Sequence, residues 1–182
     1  LTVTLDAYYT DDELAEYYAM VPETRSKTYT VEGEGAYVSK LSDIPSETLN
    51  DMQAVAKEAI NSEANTFPSD VTLDKTEYLG MYMLLPKNED QYYSQLNYVF
   101  LVYKITIKVE DASVEYYYYT AFDNLILQKD GTCEVDLNNY DTTYSSVSID
   151  GNWYYGYESL DAFKESCITY NATYYTYVTD ME

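Results

Sequence analysis

The stretch "YVFLVYKITIKV", residues 98–109, decides the fold. Val99, Leu101, Tyr103, Ile105, Ile107 and Val109 recur at every second position, with Lys104, Thr106 and Lys108 between them. Successive side chains of a strand point to opposite faces, so this period of two predicts a long strand with one core face and one partly wet face. Residues 77–85 and 114–127 are strand-like on either side of it, and the three runs together predict an antiparallel meander. Such a sheet needs a cover for its apolar face. Ser46–Ala64 supplies one: Leu49, Met52, Val55, Ala56, Ala59 and Ile60 form an apolar stripe at helical spacing. Glu47, Asp51, Lys57, Glu58 and Glu63 lie off that stripe, and Pro68 follows its end.

Smaller signals fill in the rest. Thr10-Asp11-Asp12-Glu13 has the spacing of a capping box, which predicts a short helix through Leu14, Tyr17, Tyr18 and Val21 up to Pro22. Residues 28–38 alternate as a strand, with Gly33 and Gly35 marking a bulge or close approach. Asp130-Gly131 and Asp150-Gly151 are both hairpin turns by residue type. Ser159 is placed to cap a helix whose Leu160, Phe163, Cys167 and Tyr170 fall on one stripe, and residues 173–178 read as a last strand. The expected fold is α+β: a long helix packed on an antiparallel meander sheet, with a C-terminal hairpin and helix. Its element order resembles cystatin-like and nuclear-transport-factor-like rolls. One domain over residues 1–182 is expected, with residues 1–40 as the segment that could form a separate N-terminal extension or the remnant of a preceding part.

Composition narrows the chemistry. With 10 Lys+Arg against 32 Asp+Glu, the formal charge of -22 opposes nucleic-acid phosphate and anionic membrane surfaces. No apolar run is long enough to span a bilayer, so no membrane insertion by this segment is expected. The chain starts at Leu1 rather than Met, which sets the expectation of a removed leader, lipoprotein anchor or preceding segment. No histidine is present, which removes Ser-His-Asp and Cys-His nucleophile systems and His-ligated zinc. Glycine-rich phosphate loops and the Gly-x-Ser-x-Gly elbow are also missing from the sequence. A carboxylate pair, as in glycoside hydrolysis, is the remaining enzymatic route, and among 32 acidic residues no pair is singled out.

The 25 tyrosines are the anomaly. They come as doublets at Tyr8-Tyr9, Tyr17-Tyr18, Tyr92-Tyr93, Tyr154-Tyr155 and Tyr174-Tyr175, and as the run Tyr116, Tyr117, Tyr118 and Tyr119. A doublet in a strand sends one ring to the core and one toward water, so these positions predict an aromatic sheet face that meets a partner. Strong strand propensity with a wettable tip is the structural explanation for the same residues. Cys133 and Cys167 are too few for a paired-thiolate metal site; in an exported protein they could form a disulfide, and in a cytosolic one they would be two buried thiols. Asp136-Leu137-Asn138-Asn139-Tyr140-Asp141 begins like a calcium loop, yet Tyr140 stands where an oxygen ligand belongs, so no metal and no cofactor are expected. Asn171-Ala172-Thr173 fits a glycosylation sequon.

Ile149-Asp150-Gly151-Asn152-Trp153-Tyr154-Tyr155 resembles the core of the choline-binding and related cell-wall-binding repeats of Gram-positive bacteria. In that family, Trp and Tyr rings of successive hairpins cage a quaternary ammonium by cation–π contact, which implies Trp153 and Tyr155 as cage residues. The family's upstream Gly-Trp is missing here and no second copy follows, so a cage built between adjacent repeats lacks its other wall. The residue-based reading is a hairpin whose large rings close one end of the core. More broadly, "FDNLILQKDGTCEVDLNNY" and "DGNWYYGYESLDAF" are similar to uncharacterised domains in exported proteins and lipoproteins of Gram-positive gut bacteria. That resemblance covers about the last third of the chain and implies an extracytoplasmic, cell-surface or secreted location. The expected function is non-catalytic binding of a protein or glycan partner through Tyr116, Tyr117, Tyr118, Tyr119, Trp153, Tyr154 and Tyr155. A carboxylate-dependent glycan-active enzyme and a purely structural spacer or inhibitory module are the alternatives.

Overall fold

A computed structural model describes residues 2–6, 26–30, 35–88 and 96–181. The helix expected after Thr10 and the doublets at Tyr8-Tyr9, Tyr17-Tyr18 and Tyr92-Tyr93 lie outside the described residues. The chain divides into two compact units, Leu1–Glu34 and Gly35–Glu182. This break falls inside the 28–38 stretch expected to be one bulged strand. In the first unit, β1 (Thr2–Asp6) pairs antiparallel with β2 (Ser26–Thr30). The Thr4 and Thr28 hydroxyls meet at 3.0 Å across this pair, and Lys27 Nζ sits 4.9 Å from the centre of the Tyr29 ring.

The second unit is the α+β body. Helix α1 (Ser46–Ala64) has the bounds its stripe predicts, and Met52, Ala56 and Ile60 are buried with Leu49 and Val55 packed beside them. The meander follows as β4 (Val71–Pro86), β5 (Tyr98–Val109) and β6 (Ala112–Asp123), all antiparallel. The last strand, β12 (Tyr175–Thr179), pairs with residues 82–86 of β4, and the two-residue β9 (Asp141–Thr142) with β6, giving the order β12-β4-β5-β6-β9. A smaller sheet joins β3 (Gly35–Tyr37), β7 (Ile126–Gln128) and β8 (Cys133–Glu134). Gly131, at φ 87, follows the turn between β7 and β8, and Asp130 Oδ1 accepts from Thr132 N and Oγ1.

β4 carries two extra residues relative to β5, Asp74 and Leu79. Bulges of this kind bend a strand and sharpen its twist. At the second bulge Gly80 adopts φ 137, and a Cβ there would stand 2.7 Å from Asp180 Oδ1. That carboxylate accepts the Met81 N–H at 2.6 Å, so the glycine makes room for the tail that follows β12.

The sheet has a core on each face. Val99, Leu101, Tyr103, Ile105, Ile107 and Val109 face α1, as their alternation predicts, with Met81, Met83, Tyr116, Tyr118 and Phe122. The other face differs from expectation along half its length. Phe100, Val102, Tyr82, Leu84, Tyr119 and Ala121 form a second buried cluster with Tyr157, Phe163, Cys167 and Ile168 of the C-terminal segment. Beyond it the same face is wet: Lys104 Nζ lies 3.7 Å from Glu77 and 3.5 Å from Glu115, and Lys75 and Lys108 pair with Glu77 and Asp74 at 2.6 and 2.7 Å.

The C-terminal cover is irregular. Ser159 Oγ accepts from Ala162 N at 3.1 Å and starts α2 (Leu160–Phe163), which widens into a π-helical turn at Lys164–Thr169 and tightens into a 3₁₀ turn at Tyr170–Thr173. The wide turn changes the phase, because its hydrogen bonds span five residues rather than four. Ile168 therefore takes an inward place beside Cys167, and Tyr170, expected on the buried stripe, is 82% exposed. Asn171 of the sequon donates its amide to the Cys167 carbonyl at 2.8 Å, so it is engaged in closing this turn.

Just upstream of this cover, Gly156 passes close beneath β6. Tyr157 exchanges backbone hydrogen bonds with Tyr117 at 2.8 and 2.9 Å. A Cβ on Gly156 would overlap the Tyr116 ring and stand 2.9 Å from Tyr117 O. Gly156→Ala is expected to destabilise the second unit by about 2–3 kcal/mol through overpacking, read as a lower denaturant midpoint at unchanged slope.

Candidate functional site

The hairpin of β10 (Ser146–Ile149) and β11 (Asn152–Tyr155) is joined by Asp150 and Gly151, with φ of 49 and 77. Two positive φ values in a two-residue loop match the twist of the flanking strands, and Asp-Gly adopts them at low cost. Pairing places Ser148 opposite Trp153 and Ser146 opposite Tyr155, while Val147 and Ile149 share the inner face with Tyr154. Hence Tyr154 is buried, edge-on to Phe67 at 5.2 Å, and it alone of the three rings closes the end of the core. Trp153 is 72% and Tyr155 51% exposed, on the same outward face.

The expected outward platform at the tyrosine run is not present. Tyr116 and Tyr118 are buried on the α1 side, Tyr119 is buried on the other side, and Tyr117 is half-buried. Tyr119 lies 5.1 Å from Phe100, 5.8 Å from Phe163 and 6.4 Å from Tyr157, centre to centre. The doublet rule presumes that one sheet face stays in water, and here the C-terminal segment covers the second face. The disulfide expectation is corrected as well. Cys133 and Cys167 are free thiols, the first packed against the α1-side core and the second buried in the opposite one. The sheet stands between those two clusters, and burial pushes both thiols above their ordinary range.

Two adjoining clefts, each of about 420 Å³ and sharing Ala162, lie where the hairpin meets the C-terminal helical segment. One runs along Ser146, Ser148 and Trp153 to Glu158, floored by Gly156 and Tyr157. The other lies between Tyr144 and Tyr170, with Glu165 and Ser166. Tyr144 is 68% exposed and its hydroxyl meets Ser166 Oγ at 3.5 Å. Behind them, Tyr157 OH contacts Cys167 Sγ at 3.1 Å, and burial raises the Tyr157 phenol. Of the residues expected to bind, only Trp153 lines this surface, and Tyr155 is exposed on the same face of the hairpin without lining either cleft. Tyr144, Glu158, Glu165 and Tyr170 join it without a sequence signal of their own, since Tyr144 stands alone in a Thr/Ser loop and Tyr170 has core-like spacing.

Among the described residues no group of three or more His, Cys, Asp or Glu is placed to hold a metal. In the calcium-like loop, Asp136 Oδ1 accepts the Asn138 N–H at 3.0 Å. Asp141 accepts the Tyr98 hydroxyl at 2.6 Å. Glu63, pushed upward by partial burial, lies on α1 and lines neither cleft. No family model, no curated protein and no solved structure matches the chain. Fold and surface together define an α+β domain with aromatic rings and carboxylates lining two adjoining clefts.

Trp153, the single tryptophan, reports on this surface directly. Its emission is expected at the long-wavelength, water-exposed end and open to quenching by acrylamide. Trp153→Ala is expected to change stability by no more than about 0.5 kcal/mol, as for other surface positions, by denaturant unfolding.

Proposed function

We propose that this chain is a non-catalytic binding or interaction domain of an extracytoplasmic bacterial surface protein or lipoprotein. It contacts a protein or glycan partner through its exposed rings, and its helix-on-meander body belongs with the cystatin-like or nuclear-transport-factor-like rolls. The observation that carries the binding reading is Trp153, Tyr155, Tyr144 and Tyr170 all more than half exposed on one unit, three of them bordering the clefts. Contiguous aromatic exposure is uncommon on isolated soluble domains and marks contact surfaces, where Trp and Tyr provide large area at low entropic cost. The extracytoplasmic placement rests on the resemblance of the last third of the chain to exported domains.

Cosedimentation of the domain with isolated Gram-positive cell envelopes tests this reading. Wild-type protein is expected to pellet saturably, and the Trp153→Ala/Tyr155→Ala/Tyr170→Ala variant, folded by circular dichroism, to lose at least about tenfold in apparent affinity, as for clustered hot spots. Equal retention of both proteins counts against it.

A further inference from the structure

We infer that the two clefts receive a basic segment of a partner protein, with lysine or arginine side chains seated between the rings and carboxylates; this deepens the binding reading above and rests on it. Each cleft pairs an aromatic wall with one acid: Trp153 with Glu158, and Tyr144 and Tyr170 with Glu165. A ring face attracts a cation through its quadrupole, and a carboxylate beside it supplies the countercharge. Among the described residues, no lysine or arginine lines either cleft. The nearest cation in sequence, Lys164, is engaged elsewhere, with its Nζ 6.0 Å from the centre of the Tyr177 ring. The hydroxyls of Ser146, Ser148 and Ser166 can accept hydrogen bonds from an ammonium or guanidinium group.

Charge favours this occupant over a neutral or anionic one. The formal charge of -22 steers a basic partner inward and repels an acidic one. At about 0.15 M salt, however, charges beyond about 8 Å are largely screened, so the local acids rather than the overall charge must hold the bound segment. The clefts adjoin at Ala162, an arrangement that suits two side chains of one extended segment. The long apolar stems of Lys and Arg would cover the rings while their charged ends reach Glu158 and Glu165.

The test uses the full chain at about 0.15 M ionic strength, with fluorescein-labelled hexalysine read by polarisation and Trp153 emission read with unlabelled peptide. Hexaglutamate and chitohexaose serve as the acidic and neutral comparators. Hexalysine is expected to bind saturably and shift Trp153 emission, and Glu158→Gln/Glu165→Gln to weaken it at least about tenfold, a loss typical of a close charge pair. The control Glu47→Gln/Glu58→Gln, which removes the same charge from the exposed side of α1, is expected to change it less than about twofold, as distant screened charges do. Equal weakening by both pairs overturns the inference, since binding then follows overall charge. A Trp153 shift with chitohexaose and none with hexalysine overturns it while leaving the aromatic-surface reading standing. If no probe moves Trp153 and envelope binding ignores the ring substitutions, both fail.

Discussion

Raising the pH above about 10 is expected to unfold the second unit in a steep transition, because buried tyrosines there resist ionisation that the unfolded chain permits. Eight phenols are held above the ordinary tyrosine range, burial being the largest cause in each: Tyr78, Tyr98, Tyr103, Tyr116, Tyr118, Tyr119, Tyr154 and Tyr157. A folded-state pKa above the unfolded value means stability is complete below about pH 10 and falls as the unfolded chain begins to lose protons that the folded chain keeps. Each such group contributes a slope approaching about 1.4 kcal/mol per pH unit. The six with the largest shifts, Tyr78, Tyr98, Tyr103, Tyr116, Tyr119 and Tyr157, together approach about 8 kcal/mol per unit, comparable to the whole stability of an ordinary domain. Tyrosinate absorbance and circular dichroism followed against pH check this: a first group of tyrosines ionises with the fold intact, and the buried group ionises together with loss of the β signal. Repetition in high salt separates burial from simple repulsion of the acidic chain, since salt screens only the latter. Ionisation of all tyrosines in one early step, with the sheet retained, contradicts the two-core packing.

Asn97→Ala is expected to cost about 3–5 kcal/mol, the largest loss from any single polar substitution in the second unit. Asn97 is fully buried just ahead of β5. Its Oδ1 accepts the Leu125 N–H at 2.7 Å, while its Nδ2 donates to Leu125 O at 2.8 Å and Val38 O at 3.0 Å. Its own carbonyl receives the Asn124 N–H at 3.0 Å, at a residue held at φ 54 in the corner between β6 and β7. One amide thus ties the end of β3, the start of β5 and the turn after β6 to one another. Alanine leaves the Leu125 N–H and the Val38 carbonyl without this partner in a site closed to water, each costing about 1–3 kcal/mol, while Leu125 O keeps the Val38 N–H at 3.0 Å. Asn97→Asp keeps the acceptor but sets a carboxylate against two carbonyls, so its loss is expected to be greater at neutral than at mildly acidic pH. Denaturant unfolding of the variants reads both effects, and a loss for alanine below about 1 kcal/mol contradicts the role assigned to the amide.

The legible parts of the fold are those where one period dominates. The alternation of β5 and the stripe of α1 both have a single solution, and the Asp-Gly pairs mark their turns because few other residues accept positive φ. The second core was hidden for a physical reason. Its cover is formed by Phe163 of α2 and by Cys167 and Ile168 on the wide turn that follows, which departs from α-helical spacing, so a 3.6-residue reading admits Tyr170 and misses Ile168. Tyrosine compounds the difficulty, since the same residue suits a wet sheet face and a packed one. At the candidate site, hairpin alternation identifies Trp153 and Tyr155 as neighbours, whereas Tyr144 and Tyr170 come together with them only through tertiary packing. Asn97 gives no local sign of its importance, because a polar residue before a strand usually sits in solvent.

The outward rings at the two clefts, rather than the tyrosine run of β6, are proposed as the contact surface. Trp153 emission recorded during addition of fractionated Gram-positive envelope material, with excitation beyond tyrosine absorption, tests that claim most directly. Exposed-type emission is expected in the free domain, with a saturable blue shift and loss of acrylamide quenching as one fraction is added. Blue-shifted, unquenchable emission in the free domain would contradict it, as would retention of that fraction by the domain with Trp153 unmoved.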